Sequence, residues 1–305
     1  MNPSFSLHRR AFLKTAGATL AALLPATSLQ ALEPLQRAGR CRLRLSLAAY
    51  SFRDFFGDAD PARRLTLTGF IDYCADHGCD AAELTSYYFP KEVTPTLLTA
   101  LKRHAFLRGL AISGTAVGNN FALPDGPERD AQIAHVKTWV DHAARLGAPH
   151  IRVFAGDAKG LDRAAAKRQC IRALEACGDY AGNHGIWLGL ENHGGIVTEV
   201  ADLIEIVRAV QSPWVGVNLD TGNFYSEADP YEEMARLAPY AVNTQLKVAI
   251  SRRGQTKLPT DLDRVIDVLT KANYQGYVAL EYEEQDPWGQ IPGWLQRMRS
   301  AFARL

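Results

Sequence analysis

No stretch of eighteen or more uncharged apolar residues occurs in this 305-residue sequence, so nothing in it reads as a membrane-spanning segment. Low-complexity tracts are also missing. The hydrophobic fraction of 47% suits a chain that buries a large core. Cysteine is sparse. Cys41, Cys74, Cys79, Cys170 and Cys177 show neither a zinc-site spacing nor a disulfide framework. Cys170 and Cys177 lie seven apart on one expected helix face, a poor separation for bridging, so all five read as core thiols.

Acidic residues are absent before Glu33, and the segment without them has a layout of its own. "HRRAFLKTAGATLAALLPATSLQA" places Arg9, Arg10 and Lys14 ahead of a short Ala/Leu/Thr stretch and then small residues, the order of an export leader. Arg-Arg-Ala-Phe-Leu-Lys resembles the bacterial twin-arginine signal, which addresses already folded proteins to the twin-arginine export machinery. Residues 1–31 are therefore expected to be a leader, with cleavage placed after Ala31, and the rest a periplasmic or otherwise exported domain over 32–305. Without the leader, 31 positive residues face 33 negative ones, so the full chain's +1 becomes a net charge near −2. That balance gives no electrostatic footprint for nucleic acid.

Beyond the leader, helix-closing glycines are followed at once by apolar runs: Gly78, Gly109, Gly147, Gly185 and Gly276. Glycine suits the left-handed conformation that ends a helix. The first four are spaced like strand-helix units, with amphipathic segments between them. In one such segment Ile133, Val136, Trp139 and Val140 recur at helical spacing. Three further runs, "LRLSLAAYSF", "WVGVNLDTG" and "AVNTQLKVAI", lack the preceding glycine. The eight expected strands centre near residues 47, 83, 113, 153, 189, 218, 246 and 279. They are apolar on both faces, as in parallel sheets. Eight alternating units predict a single-domain (β/α)8 TIM barrel. A doubly wound sheet would ordinarily carry a glycine-rich phosphate turn after its first strand, and "LAAYSFRDFF" is not one.

Three expected strands finish on a carboxylate: "LGLENHGG" on Glu191, "VNLDTGN" on Asp220 and "VALEYE" on Glu281. Singly, each could cap the next helix or pair with a surface arginine. As a set, they point to the mouth at the C-terminal strand ends, where barrel active sites lie. Clustered carboxylates repel and push one another's pKa upward, and a divalent cation would relieve that. Gln245 and Lys247, two apart on the seventh run, share a face. Gln245 could add an amide oxygen to Glu191, Asp220 and Glu281 as a fourth ligand. Lys247 could offset surplus negative charge or hold a substrate oxygen. Such an all-oxygen set favours Mn²⁺ or Mg²⁺, with Co²⁺ and Zn²⁺ as further options. Aromatics follow the strands too: Tyr50, Phe52, Tyr87, Tyr88, Phe121, Phe224, Tyr225 and Trp288. Of these, Tyr50, Tyr87 and Trp288, with His193 and Asn223, are the expected substrate contacts. Glu83 could reach the cavity or cap a helix.

From about residue 43 the chain resembles the xylose isomerase-like barrel family of sugar isomerases and epimerases, which includes the ketose 3-epimerases. "LSLAAYSFRD", "LTGFIDYCADHGCDAAELT", "GLENH", "VNLDTGN", "QLKV" and "YVALEYE" carry the likeness. The resemblance implies one divalent metal held by Glu, Asp, His and Glu from strands 5 to 8. Glu191, Asp220 and Glu281 match this set, whereas Gln245 stands where His is usual and Asn223 replaces the His of the common Asp-x-x-His. It also implies an enediolate mechanism in which Glu191 and Glu281 exchange a carbon-bound proton. A small sugar would be the partner, and a homodimer, common in that family, is admitted. The expected activity is therefore metal-dependent isomerisation or epimerisation of a sugar, non-phosphorylated because the chain is exported. The alternatives are a lyase or hydratase acting on a keto-sugar or keto-glycoside, and a sugar-binding protein without catalysis. A DNA-repair nuclease of the same family would need several metal histidines, and strands 3 and 4 have none at their ends.

Overall fold

Eight apolar runs become eight parallel strands in the computed structural model, which describes residues 33–305. The twin-arginine leader assigned to residues 1–31 lies outside the described residues. The strands are β1 (Arg42–Ala48), β2 (Ala81–Thr85), β3 (Ala111–Ala116), β4 (His150–Val153), β5 (Trp187–Glu191), β6 (Val215–Asp220), β7 (Ala241–Leu246) and β8 (Gln275–Leu280). Each pairs with its neighbour in chain order, and β8 pairs with β1, closing the barrel. Closure leaves no edge strand, and it rules out the open doubly wound sheet. A two-residue ribbon, Ala249–Ile250 against Leu258–Pro259, follows β7 at the mouth.

Helices fill the connections because their sequences carry one apolar face. Helix Pro127–Leu146 starts on proline, with Glu128 and Asp130 in its first turn. Both features suit a helix start, the acids because they meet the positive end of the helix dipole. The helix buries Val136, Trp139 and Val140 and stops at Gly147, whose φ is +80°. Gly78, Gly109 and Gly185 likewise take positive φ. Gly276 does not: it lies inside β8, and Asn273, with φ +49°, makes the left-handed turn after helix Leu262–Lys271. A β-carbon at 276 would stand 2.7 Å from the Tyr274 hydroxyl oxygen, so this glycine serves packing. All five cysteines are free and buried.

The barrel interior is polar below its mouth. Gln245 Nε2 donates to Glu83 Oε1 at 2.6 Å, Asn243 Nδ2 to Glu83 Oε2 at 3.2 Å, and Asn218 Nδ2 to Gln245 Oε1 at 2.7 Å. Asn243 Nδ2 also reaches Asn218 Oδ1 at 2.9 Å, closing the network. Glu83, Asn218, Asn243 and Gln245 thereby find partners in one another, without which their burial would cost energy. Beside this floor His150 is held through Nδ1, 2.9 Å from the Ser113 carbonyl. A β-carbon at Gly114 would meet the His150 ring at 1.9 Å. Gly114→Ala is therefore expected to cost about 1–3 kcal/mol by overpacking. A thermal melt should show a drop of roughly 3–10 °C; an unchanged melting temperature would mean that the ring is free to swing away.

Candidate active site

Glu191 and Asp220 are the last residues of β5 and β6, and Glu281 directly follows β8. All three are buried. A cavity of about 250 Å³ opens at this end. Its walls are Tyr50, Tyr87 and Phe154; its charged groups are Arg152, Lys247, Glu191, Glu281 and Glu283; and His193 completes the lining. Glu191 and Glu281, expected from the strand ends, thus share one small space with Lys247, His193, Tyr50 and Tyr87.

Two cations organise these acids. Arg152 Nε lies 2.8 Å from Glu191 Oε2, and its Nη1 donates to the Val117 carbonyl at 2.8 Å. Its guanidinium also covers the Phe154 ring, 3.9 Å from the centroid. Burial works against the Arg152 charge, but Glu191 holds its pKa above the ordinary value. Lys247 Nζ lies 3.1 Å from Asp220 Oδ2 and 3.1 Å from Glu283 Oε1. Burial opposes this charge as well, and Asp220, Glu281, Glu283 and Glu191 together outweigh it, so the ammonium stays protonated well above its usual range. Burial raises the Glu191 carboxyl to about 7 despite Arg152. It raises Glu281 well above the usual carboxylate range despite Lys247. A carboxyl shifted as Glu191 is can hold or release a proton near neutral pH.

The remaining expected residues take other places. Asn223 is buried, with Nδ2 3.4 Å from Glu191 Oε1 and Oδ1 accepting from the Tyr225 hydroxyl at 3.2 Å, so it bears on Glu191 from behind the cavity wall. Trp288 lies outside the cavity. It lies in the first turn of helix Pro287–Phe302 and packs against Phe52 at 4.5 Å and Phe55 at 5.3 Å between centroids, lining a neighbouring cleft. Phe52, Phe121 and Phe224 are core residues, and Tyr88 stacks on Phe56 at 4.1 Å. Glu83 is fully buried in the interior network, neither lining the cavity nor capping a helix.

Arg152, Phe154 and Glu283 were not singled out from the sequence. Arg152 had a signal: a charge two residues from His150 in the otherwise apolar "HIRVFAG", on the same face of β4.

A divalent ion held by Glu191, Asp220, Gln245 and Glu281 does not fit this arrangement. Among the described residues, no group of three or more His, Cys, Asp or Glu side chains is placed to hold a metal ion. The Gln245 oxygen already accepts from Asn218 below the mouth. Asp220 uses Oδ1 for the Gly222 amide at 2.7 Å, and its other oxygen faces the Lys247 ammonium.

A second cavity of about 240 Å³ adjoins the first across Phe154 and His193, which line both. Their rings lie 4.4 Å apart. Asn119, Asn120, Asp157 and three glycines give the second cavity a polar wall.

Residues 71–298 match the xylose isomerase-like TIM barrel family, and the chain belongs to it. Among solved structures, a D-psicose 3-epimerase determined in the presence of D-fructose superposes with a TM-score of 0.68 at 18% identity, covering 85% of this chain and 97% of its own. The 3-keto-D-glucoside 4-epimerase of E. coli gives 0.64 at 14% identity, covering 85% and 100%. The probable 3-DHS dehydratase AsbF of Bacillus anthracis gives 0.65 at 16%, covering 84% and 98%. At these identities the likeness concerns the fold. A comparison with curated protein sequences finds no match.

Proposed function

We propose that this protein isomerises or epimerises a non-phosphorylated sugar by moving a proton at the carbon beside a carbonyl. The observation that carries this reading is the placement of Glu191 and Glu281 on one small cavity with Lys247 between acidic neighbours. One carboxylate takes the carbon-bound proton as the C–H electron pair shifts onto the carbonyl oxygen. The other returns a proton to the neighbouring carbon or to the opposite face. Lys247 holds the oxygen on which negative charge develops.

Size and charge narrow the substrate. The cavity is smaller than the roughly 300–1,000 Å³ of sites for drug-sized ligands, which suits a single sugar ring or chain. Both cations of the cavity are already paired with acids, so a phosphate group finds no free positive partner. The epimerases among the structural neighbours agree with this class of chemistry.

The second cavity favours one further reading. A glycoside could place its sugar against Glu191 and its other ring beyond Phe154. Loss of the carbon-bound proton would then expel the group two carbons from the carbonyl, which leaves with its bonding pair and takes a proton. That is a lyase step from the same enediolate.

Both readings are tested by incubation with non-phosphorylated ketoses and 3-keto-glucosides in D₂O, followed by NMR. Deuterium beside the carbonyl of an unchanged carbon skeleton supports isomerisation or epimerisation. Release of water or an aglycone supports the lyase. Unchanged substrate and no deuterium across the panel would overturn both. Burial pushes the Glu191 carboxyl up to about 7, so its basic form fills as pH rises through that region. In the direction where Glu191 is the base, kcat/KM should rise up to tenfold per unit at pH values below 7 and level off above it, as a pH profile will show.

A further inference from the structure

The family's usual divalent cation and the Lys247 ammonium compete for one electrostatic position. We propose that Lys247 has taken that position, so that the site works without a metal ion. This rests on the enediolate reading above, since it names the cation that stabilises the developing oxyanion.

Several features build the lysine into place. Its backbone nitrogen donates to Thr221 Oγ1 at 2.9 Å, and its carbonyl accepts from Thr260 Oγ1 at 2.6 Å. The residue is thereby fixed on both sides just past the end of β7. Gly222 clears the path of the side chain: a β-carbon there would stand 2.6 Å from Lys247 Cδ and 2.8 Å from its Cβ. The stem runs through this gap, buried, and delivers Nζ against Asp220 Oδ2 and Glu283 Oε1 at 3.1 Å each. Lys247 also lines the cavity beside Glu191 and Glu281. An ammonium has three donors, enough for two carboxylates and one substrate oxygen.

The surroundings exclude the alternative. An ion bound to Asp220 would stand against a fixed ammonium of the same sign. The amide that replaces histidine on β7 has turned its oxygen to Asn218 and its nitrogen to Glu83. Asn223 meets Glu191 through its amide nitrogen, a group that repels a cation. Two substitutions and one cation therefore agree: the two potential ligands present donors or are engaged elsewhere, and the Lys247 ammonium faces Asp220.

The chemistry balances without a metal. The C–H bond breaks, its proton passes to a carboxylate, and its electron pair comes to rest on the carbonyl oxygen, hydrogen-bonded to Nζ. Nothing is oxidised or reduced.

The deciding experiment needs no substrate. Wild-type protein purified without added metal is analysed by mass spectrometry for Mn, Mg, Co and Zn, then titrated with Mn²⁺ and Mg²⁺ by calorimetry. We expect well under one equivalent of any metal and no saturable site at micromolar concentrations. One tightly held equivalent would overturn the proposal. With a ketose that exchanges deuterium, a chelator should leave the rate unchanged, whereas loss of exchange restored by Mn²⁺ would also overturn it. Lys247→Met should lower turnover roughly 10²–10³-fold, as for loss of one oxyanion donor. Undiminished turnover in that variant would count against it. If wild-type protein turns over nothing in the panel, the enediolate reading fails, and the metal titration still decides the cation.

Discussion

Glu191→Gln and Glu281→Gln should each lower interconversion of the substrate and its product by roughly 10²–10⁴-fold, the usual contribution of a positioned acid–base group. The amide keeps the shape of the carboxyl but cannot accept the proton. The double variant should be little worse than either single one, because groups that act as a unit do not lose rate additively. A finer signature separates the two residues. With one base left, the enediolate can still form from one epimer and return to it, so deuterium washes into that epimer without interconversion. Each variant should preserve wash-in on the opposite side from the other. Glu281→Gln is the cleaner test: among the described residues, no cation stands as close to Glu281 as Arg152 does to Glu191. Equal turnover in wild type and both variants, measured by NMR in D₂O, would remove these residues from the chemistry. Sugar binding without turnover in the wild type would leave the non-catalytic alternative.

Arg152→Met should be the most destabilising change at the site. It deletes the partner 2.8 Å from a buried carboxylate and a hydrogen bond to the Val117 carbonyl. Removing one member of a buried ion pair costs about 3–5 kcal/mol, largely because the other charge stays buried and unpaired. For a domain of this size that corresponds to a fall in melting temperature of roughly 6–20 °C. Adding Glu191→Gln should recover part of the loss, since the second change removes the stranded charge. The pH profile should move as well. Arg152 holds the Glu191 carboxyl down against burial, so without it the carboxyl rises further and the activity limb shifts to higher pH. A melting temperature within a degree of wild type would show that the pair contributes nothing. Calorimetric melts of the single and double variants decide.

Much of this architecture could be read from residues alone, because it follows from periodicity. Eight apolar runs separated by amphipathic segments allow few folds, and each expected strand centre falls within or at the end of an observed strand. The mouth was legible for the same reason: Glu191, Asp220 and Glu281 end apolar runs, and strand ends point to one face of a barrel. Contacts between distant elements were not legible. Gln245 reads as a ligand until its oxygen is seen bonded to Asn218 and its nitrogen to Glu83, residues far apart in the chain. Trp288 follows a strand, as a pocket residue would, yet the helix whose first turn holds it turns it onto Phe52. Gly276 precedes an apolar run like the other glycines, but Asn273 had already made the turn. Arg152 hides in β4 because its partner is 39 positions away.

The account depends on where a substrate carbon would sit. A crystal structure with a bound non-phosphorylated ketose, or a slow analogue of it, is the most direct measurement. The account predicts the sugar inside the Tyr50–Tyr87–Phe154 cavity, its carbonyl oxygen on Lys247 Nζ and the adjacent carbon between the carboxyl groups of Glu191 and Glu281. A sugar bound with both carboxyl groups on one side of that carbon, or seated away from them altogether, would contradict it.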